Sequence, residues 1–169
     1  DIRADQVAKV HVTSYSDTLH FVGRHYTDTQ STFADCYLSL PYTVAATITG
    51  GQFAVEQLTK KRISDPAVHE LASRVEVHAD EEMDKLYPQE WPVLVEITLK
   101  DGRRVSKRLD KVIGCPRRPM TDAELSAKFL GNTEPLLGTK QAQRVLEACM
   151  SLEEIESAAE LVSWLEPEG

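Results

Sequence analysis

Residues 93–109, VLVEITLKDGRRVSKRL, carry the clearest local signal in the sequence and predict a β-hairpin. Apolar side chains recur at every second position before the turn, as in a strand with one buried face; they are Val93, Val95, Ile97 and Leu99. Asp101-Gly102 is a typical hairpin turn sequence. The stretch therefore predicts an antiparallel pair of strands that contributes one face to a hydrophobic core.

The apolar pattern also predicts the register of this hairpin. A two-residue loop would place Val105 on the exposed face. A three-residue loop over residues 100–102 instead sets Val105 opposite Ile97 and Leu109 opposite Val93. Because the buried face determines the register of a strand, we predict the three-residue loop, a type I turn with Gly102 in the left-handed bulge position.

Outward from the hairpin, short strands and helices follow one another along the chain. Residues 7–12 (VAKVHV) and 74–79 (RVEVHA) have the period-two pattern of strands. A helix is predicted after Pro41, ending at Gly50-Gly51, and a short one over residues 54–61. Asp65-Pro66 places an N-cap carboxylate before a proline at the first helical position, which indicates another helix start.

The polar residues 13–35 are predicted to form a long irregular loop. The C-terminal third is predicted to be helical. Capping boxes begin at Thr121 and Ser151, and residues 140–150 between them form a helix that buries Val145, Leu146 and Cys149. Together these elements predict an α+β fold, a small, mostly antiparallel sheet with a DG hairpin, packed by helices.

Composition limits the classes of function. The 169 residues fit one domain, residues 1–169, and the net charge of −8 argues against nucleic acid as a partner. No apolar run approaches the ~20 residues that cross a bilayer, so we expect no membrane association. Three widely spaced cysteines favour a reducing compartment, and we expect a cytoplasmic protein.

Known catalytic motifs are missing, since the chain has no Walker loop, GxGxxG, GxSxG or HExxH. His11 and His78 have outward parity on predicted strands, and we interpret them and His69 as solvated surface residues. His20 and His25 lie in the predicted loop, but two loop histidines five positions apart do not specify a metal site. Cys36 is interpreted as a buried, inert thiol.

Five segments, taken in order, resemble one family. They are IRADQVAKVHV, SLPYTVAATITGG, SDPAVHELASRVEV, ITLKDG and IGCPRRPMTDAELSAKF. Together they resemble the C-terminal domain of the MmgE/PrpD family, which includes 2-methylcitrate dehydratases, cis-aconitate decarboxylases and iminodisuccinate epimerases. The resemblance extends over nearly the whole chain, from Ile2 to about Trp164.

The resemblance implies a larger, all-helical N-terminal domain of the same protein, with the active site in the cleft between the two domains and this domain as its lid. It implies a small di- or tricarboxylate substrate, a homodimer at full length, and no metal or organic cofactor. 2-Methylcitrate dehydration in propionate metabolism is the first choice, and the location extends to mitochondria in a eukaryote. Because the general bases belong to the helical domain, this chain alone is expected to be inactive.

The resemblance also assigns two site residues. Tyr42 matches the tyrosine of the family's (F/L)SxxY block, which faces the substrate, and Ser39 matches the serine of that block; Leu38 stands where many members have phenylalanine. A phenol there can donate a hydrogen bond to a carboxylate or relay a proton. Two alternatives stay open: Tyr42 as a core tyrosine with its hydroxyl in water, and the chain as a non-catalytic subunit or interaction module that retains the fold.

Overall fold

The structure, a computed structural model, describes residues 2–27, 32–155 and 157–165. The chain divides into two compact units, Asp1–Val112 and Ile113–Gly169, here called the N-terminal and C-terminal units. The assignment of residues 1–169 to a single domain stays a prediction. Among the described residues, no helix combines the length and the apolar character that crossing a bilayer requires.

A four-stranded sheet organises the N-terminal unit. Its strands are β1 (Val7–Ser14), β2 (Val75–Ala79), β3 (Val93–Leu99) and β4 (Arg104–Leu109), in the order β2-β1-β3-β4. β1 pairs with β2 in parallel, while the β1–β3 and β3–β4 pairs are antiparallel. The protein is thus α+β with a mixed, mostly antiparallel sheet, as predicted.

The hairpin has the predicted register. Val105 pairs with Ile97, and Leu109 pairs with Val93. The Leu99 amide donates to the Arg103 carbonyl at 2.8 Å, which closes a three-residue loop. Gly102 has φ 87°, in the left-handed region that glycine adopts without the strain a Cβ would introduce.

Among the described residues of this unit, six α-helices accompany the sheet: α1 (Ser16–Phe21), α2 (Phe33–Tyr37), α3 (Leu40–Gly50), α4 (Lys60–Ile63), α5 (Pro66–Ala72) and α6 (Glu81–Asp84). The predicted C-terminal end of α3 and the predicted start of α5 are confirmed, since Gly51 is the left-handed C-cap of α3 and the Asp65 carboxylate accepts from the Ala67 amide. α3 begins at Leu40, before Pro41 rather than after it, because the Ser39 side chain caps it. The helix predicted over residues 54–61 is instead a 3-10 turn, Val55–Leu58, followed by α4. Thr59 separates them because its hydroxyl caps α4.

The prediction of an irregular loop over residues 13–35 is wrong for much of that range, which contains the end of β1, the whole of α1 and the start of α2. β1 continues through Ser14, whose buried hydroxyl donates to the Pro92 carbonyl at 2.7 Å. α1 begins at Ser16, whose amide and hydroxyl both bind the Asp84 carboxylate, at 2.6 and 2.7 Å. These partners are far away in sequence, so the local pattern of polar residues does not indicate them. Residues 28–31 of the predicted loop lie outside the described residues.

The core lies on one face of the sheet. α3 and α5 pack together over this face and bury small and branched side chains. The fully buried members are Val7, Val10, Val12, Cys36, Tyr42, Ala45, Ala46, Val68 and Ala72. The opposite face carries polar side chains, because the residues between the core positions alternate outward.

The C-terminal unit is helical. α7 (Asp122–Met150) begins at Thr121 with the predicted capping box, and its backbone is non-helical at Gly138. Val145 and Leu146 are buried as predicted, whereas Cys149 is exposed, contrary to the prediction.

The prediction that a helix begins at Ser151 is wrong, because the helix begins later. The Ser151 hydroxyl donates back to the Glu147 carbonyl at 3.0 Å and does not cap a following helix. A 3-10 turn, Leu152–Glu154, follows, and α8 spans Ala158–Ser163. Trp164, after α8, lies beneath the Arg144 guanidinium, whose carbon is 3.8 Å from the ring centroid.

Candidate functional site

The start of α3 carries both residues that the resemblance assigns to the site. Ser39 is the N-cap: it is buried, and its hydroxyl oxygen accepts a hydrogen bond from the Tyr42 amide at 3.3 Å. A proline in the first turn of the helix needs no amide partner, so Pro41 suits this position. The local sequence SLPY therefore forms a stable helix start that holds Ser39 and Tyr42 within one turn of each other.

Tyr42 is fully buried in this structure. Its hydroxyl donates to the Gln57 carbonyl at 2.6 Å. Burial is the main cause that raises the pKa of Tyr42 to about 12, followed by the nearby Cys36. The phenol is thus a neutral hydrogen-bond donor at physiological pH, and its proton is directed to the protein backbone. The core-tyrosine alternative placed this hydroxyl in water, whereas the hydroxyl is bonded to the backbone. The roles of Tyr42 and Ser39 toward a substrate stay predictions.

Arg62 connects the segment that carries Gln57 to the helices around it. Its Nε donates to Gln57 Oε1 at 2.9 Å, and its two terminal nitrogens donate to Asp65 at 2.7 Å and to Thr49 at 2.8 Å. This single guanidinium joins the 3-10 turn, the N-cap of α5 and the end of α3. The backbone carbonyl that accepts the hydrogen bond from Tyr42 therefore belongs to a segment that is hydrogen-bonded to its neighbours.

His69 is half-buried and hydrogen-bonded, so its interpretation as a solvated residue is wrong. Its Nε2 contacts the Ile63 carbonyl, and its Nδ1 lies 3.0 Å from the Tyr26 hydroxyl. Because a carbonyl only accepts, Nε2 carries a proton, and in the neutral ring Nδ1 accepts from Tyr26. Tyr26 in turn lies beside Tyr42, with ring centroids 6.4 Å apart. The sequence does not indicate this contact, since Tyr26 and His69 are 43 positions apart.

Cys36 lies in the same buried region. The side chain is fully buried, as predicted, and burial followed by the charge of Asp35 raises the pKa of its thiol to about 11. The thiolate is the nucleophilic form of cysteine, and this environment disfavours it. The prediction of a buried, unreactive thiol is supported.

A group of chemically active side chains on the outer face of the sheet was missed by the sequence analysis. His11, Glu76 and His78 have donor atoms that all lie within 4.8 Å of one another. Both histidines were predicted on outward faces, but the parallel pairing of β1 with β2, in a register that sets His11 beside Glu76, was not predicted. The available signal was Glu76 and His78, two positions apart on one strand and therefore on one face.

His20 and His25 line a separate surface groove of about 540 Å³ with Arg24, beside the edge strand β2. His20 is not in a loop, because it belongs to α1 and its Nδ1 lies 2.8 Å from the Ser16 carbonyl. Since that carbonyl only accepts, Nδ1 carries the proton. Neither histidine belongs to the trio of His11, Glu76 and His78.

An apolar depression of about 540 Å³ lies between α3 and β3 on the surface. It is lined chiefly by Val44, Ile48, Phe53, Val95 and Ile97, all of which are only partly buried. This surface adjoins the helix that carries Ser39 and Tyr42.

Comparison with known proteins gives a consistent result. The sequence model of the MmgE/PrpD C-terminal domain matches residues 1–154. Cis-aconitate decarboxylase of Homo sapiens is 27% identical over 131 residues, which cover 75% of this chain and 26% of the relative. Cis-aconitate decarboxylase of Mus musculus is 24% identical over 151 residues, which cover 87% of this chain and 29% of the relative. The chain thus spans less than a third of the length of these relatives. It belongs to the MmgE/PrpD family, and residues 1–154 are the family's C-terminal domain.

Proposed function

We propose that this chain forms one wall of the active site of a lyase or isomerase that acts on small di- or tricarboxylates. The observation that carries the proposal is the family match over residues 1–154, which includes the Ser39–Tyr42 segment. The chemistry would be proton transfer at a carbon beside a carboxylate, followed by loss of carbon dioxide or water or by reprotonation. Both relatives named above are cis-aconitate decarboxylases. Cis-aconitate therefore joins 2-methylcitrate, the first choice within the family, as a substrate to be tested.

The second wall would come from a helical domain of the same protein. The relatives are more than three times as long as the segment they share with this chain, so their remaining length provides room for such a domain. The depression lined by Ile48, Phe53 and Ile97 is the apolar surface we propose it covers. An apolar area of this kind next to a proposed site is a typical docking surface, because burying it in contact with a partner releases water.

For Tyr42 we propose a substrate-facing role that requires an exchange of partners. In the present structure its hydroxyl donates to the Gln57 carbonyl, so the proton reaches a substrate only if the 3-10 turn Val55–Leu58 moves away. Val55 at the start of this turn is 60% exposed, so at that end little packing opposes such a movement. At the other end the movement would have to break the hydrogen bond from Arg62 Nε to Gln57 Oε1. Ser39 would act on the substrate indirectly: its hydroxyl caps the first turn of α3 and so fixes the position of Tyr42.

Substrate conversion by the intact natural protein tests the proposed function. We expect loss of signal from cis-aconitate or 2-methylcitrate in proton NMR spectra, with appearance of a decarboxylated or dehydrated product. A panel of related di- and tricarboxylates would define the substrate class, and succinate, which offers no comparable leaving group, is the negative control. A folded, full-length protein that converts no member of the panel would contradict the proposal and favour the alternative of a non-catalytic subunit.

A further inference from the structure

The trio His11, Glu76 and His78 is produced by strand pairing. β1 and β2 are parallel, with His11 opposite Glu76 and Thr13 opposite His78. Glu76 and His78 are two positions apart on β2, so their side chains leave the same face of the sheet. This is the outer, polar face, away from the core under α3 and α5. Three side chains with metal-binding atoms therefore converge on a rigid, two-stranded platform.

The distances between the donor atoms are those of ligands around one metal ion. His11 Nδ1 and His78 Nε2 are 3.2 Å apart, and Glu76 Oε2 lies 3.7 Å from the former and 3.6 Å from the latter. The nearest point equidistant from the three atoms lies in their plane, about 2.0 Å from each, which is within the range of zinc–nitrogen and zinc–oxygen bond lengths. The two distances to Glu76 are too long for hydrogen bonds. Hydrogen bonding within the trio therefore accounts for the contact between the histidines, whereas the carboxylate is held from outside the trio.

The second oxygen of Glu76 has a partner of its own. Lys9 Nζ lies 2.8 Å from Glu76 Oε1, which leaves Oε2 directed at the two imidazoles. A partner of this kind orients a ligating carboxylate in known metal sites. A shallow depression of about 460 Å³ lies beside His11 and His78, which line it together with Glu96, Thr98 and Arg104. It leaves room for water or a small anion to complete the coordination.

We propose that His11, Glu76 and His78 bind a divalent transition-metal ion of the zinc class, with at least one coordination position open to solvent. Two imidazoles and one carboxylate suit zinc and its neighbours in the first transition series. Calcium and magnesium prefer sets of oxygen ligands and are expected to bind far more weakly. The site is separate from Tyr42 and needs no role in the proposed chemistry, so the two proposals fail independently.

The test is a metal titration of the purified protein after removal of metal by a chelator. We expect one saturable Zn²⁺ site by calorimetry, and Co²⁺ absorption bands that lack thiolate charge transfer, which excludes binding by the cysteines. His78→Ala or Glu76→Gln should lower the affinity for Zn²⁺ by more than roughly 10- to 100-fold, the loss expected when only a residue that hydrogen-bonds a ligand is removed. His20→Ala, which removes a histidine outside the trio, is the matched control and should bind like wild type.

Thermal unfolding provides a second readout: the shift in melting temperature on adding Zn²⁺, which compares each variant with itself. Zn²⁺ should raise the melting temperature of the wild type and of His20→Ala, because a ligand that binds the native state stabilises it by mass action. The same addition should leave His78→Ala and Glu76→Gln unchanged. Absence of a saturable site in the wild type, or an undiminished site in both trio variants, would overturn the proposal.

Discussion

Tyr42→Phe is the substitution whose physical consequence the structure defines best. It removes one oxygen atom and keeps the aromatic ring, so the packing of the ring among its neighbours is retained. What is lost is the 2.6 Å hydrogen bond to the Gln57 carbonyl in a region where Tyr42 is fully buried and Gln57 is 9% exposed. The substitution therefore tests a single buried donor and its acceptor.

Loss of this donor should destabilise the protein measurably. A buried acceptor left without its partner costs about 1 to 3 kcal/mol, because it was removed from water on folding and regains no partner. For a chain of this length, a loss of about 2 kcal/mol lowers the melting temperature by roughly 4 to 8 °C. We expect this decrease by differential scanning calorimetry, with a matching decrease in the urea midpoint at unchanged slope.

Tyr37→Phe is the matched control. Tyr37 is 56% exposed and stacks on Phe33 through its ring, which the substitution preserves. Its unfolding free energy should stay within about 0.5 kcal/mol of the wild type, as for most surface substitutions. If Tyr42→Phe were as stable as Tyr37→Phe, the hydroxyl of Tyr42 would not be bonded in the folded protein as described here.

Two further predictions concern the turn of the hairpin and the buried thiol. Gly102→Ala should destabilise the protein by about 1 kcal/mol or more, because alanine at φ 87° is strained. Gly131→Ala, in the α7 helix with open space at its Cβ, should stabilise it by up to about 1 kcal/mol. Equal effects of the two substitutions in urea unfolding would contradict the left-handed conformation of Gly102. Burial raises the pKa of Cys36 from 9.0 to about 11 and that of Tyr42 from 10.0 to about 12, so the unfolded chain releases these protons first as pH rises. The corresponding stability is present below about pH 9 and should be lost as pH rises toward 12. Cys36→Ala should lose less stability than the wild type between pH 9 and 11, and an identical pH profile would refute this assignment.

The features that were predictable from sequence are those specified by near neighbours. The hairpin register follows from the Asp-Gly turn and the alternation on β3, which place Val105 opposite Ile97 and Gly102 at φ 87°. Val105 itself is 42% exposed, so its own burial does not set the register. The cap at Thr121 and the start of α5 at Asp65 follow from side chains that bind backbone amides two or three positions away. Local hydrogen bonds and period-two burial are physical effects that a short window of sequence contains.

The features that were missed depend on partners distant in sequence. α1 begins where Ser16 meets Asp84, and His69 is held by Tyr26 and by the Ile63 carbonyl. The trio on the outer face needs the parallel pairing of β1 with β2, which no local pattern of either strand specifies. For the candidate site, the resemblance implies roles for Ser39 and Tyr42 that stay predictions, and the acceptor of the Tyr42 hydrogen bond, the Gln57 carbonyl, could be found only from the folded chain.

The measurement that tests the central claim most directly is the turnover number of Tyr42→Phe in the intact natural protein, on a carboxylate that the wild type is found to convert. Both this variant and Tyr37→Phe would be assayed well below their melting temperatures, so that the stability cost described above does not enter. If this chain forms a wall of the active site and the hydroxyl of Tyr42 reaches the transition state, kcat should fall by about 10²- to 10³-fold, with a smaller change in KM. A Tyr42→Phe enzyme whose kcat equals that of Tyr37→Phe would contradict the account and leave Tyr42 as a structural residue of the core.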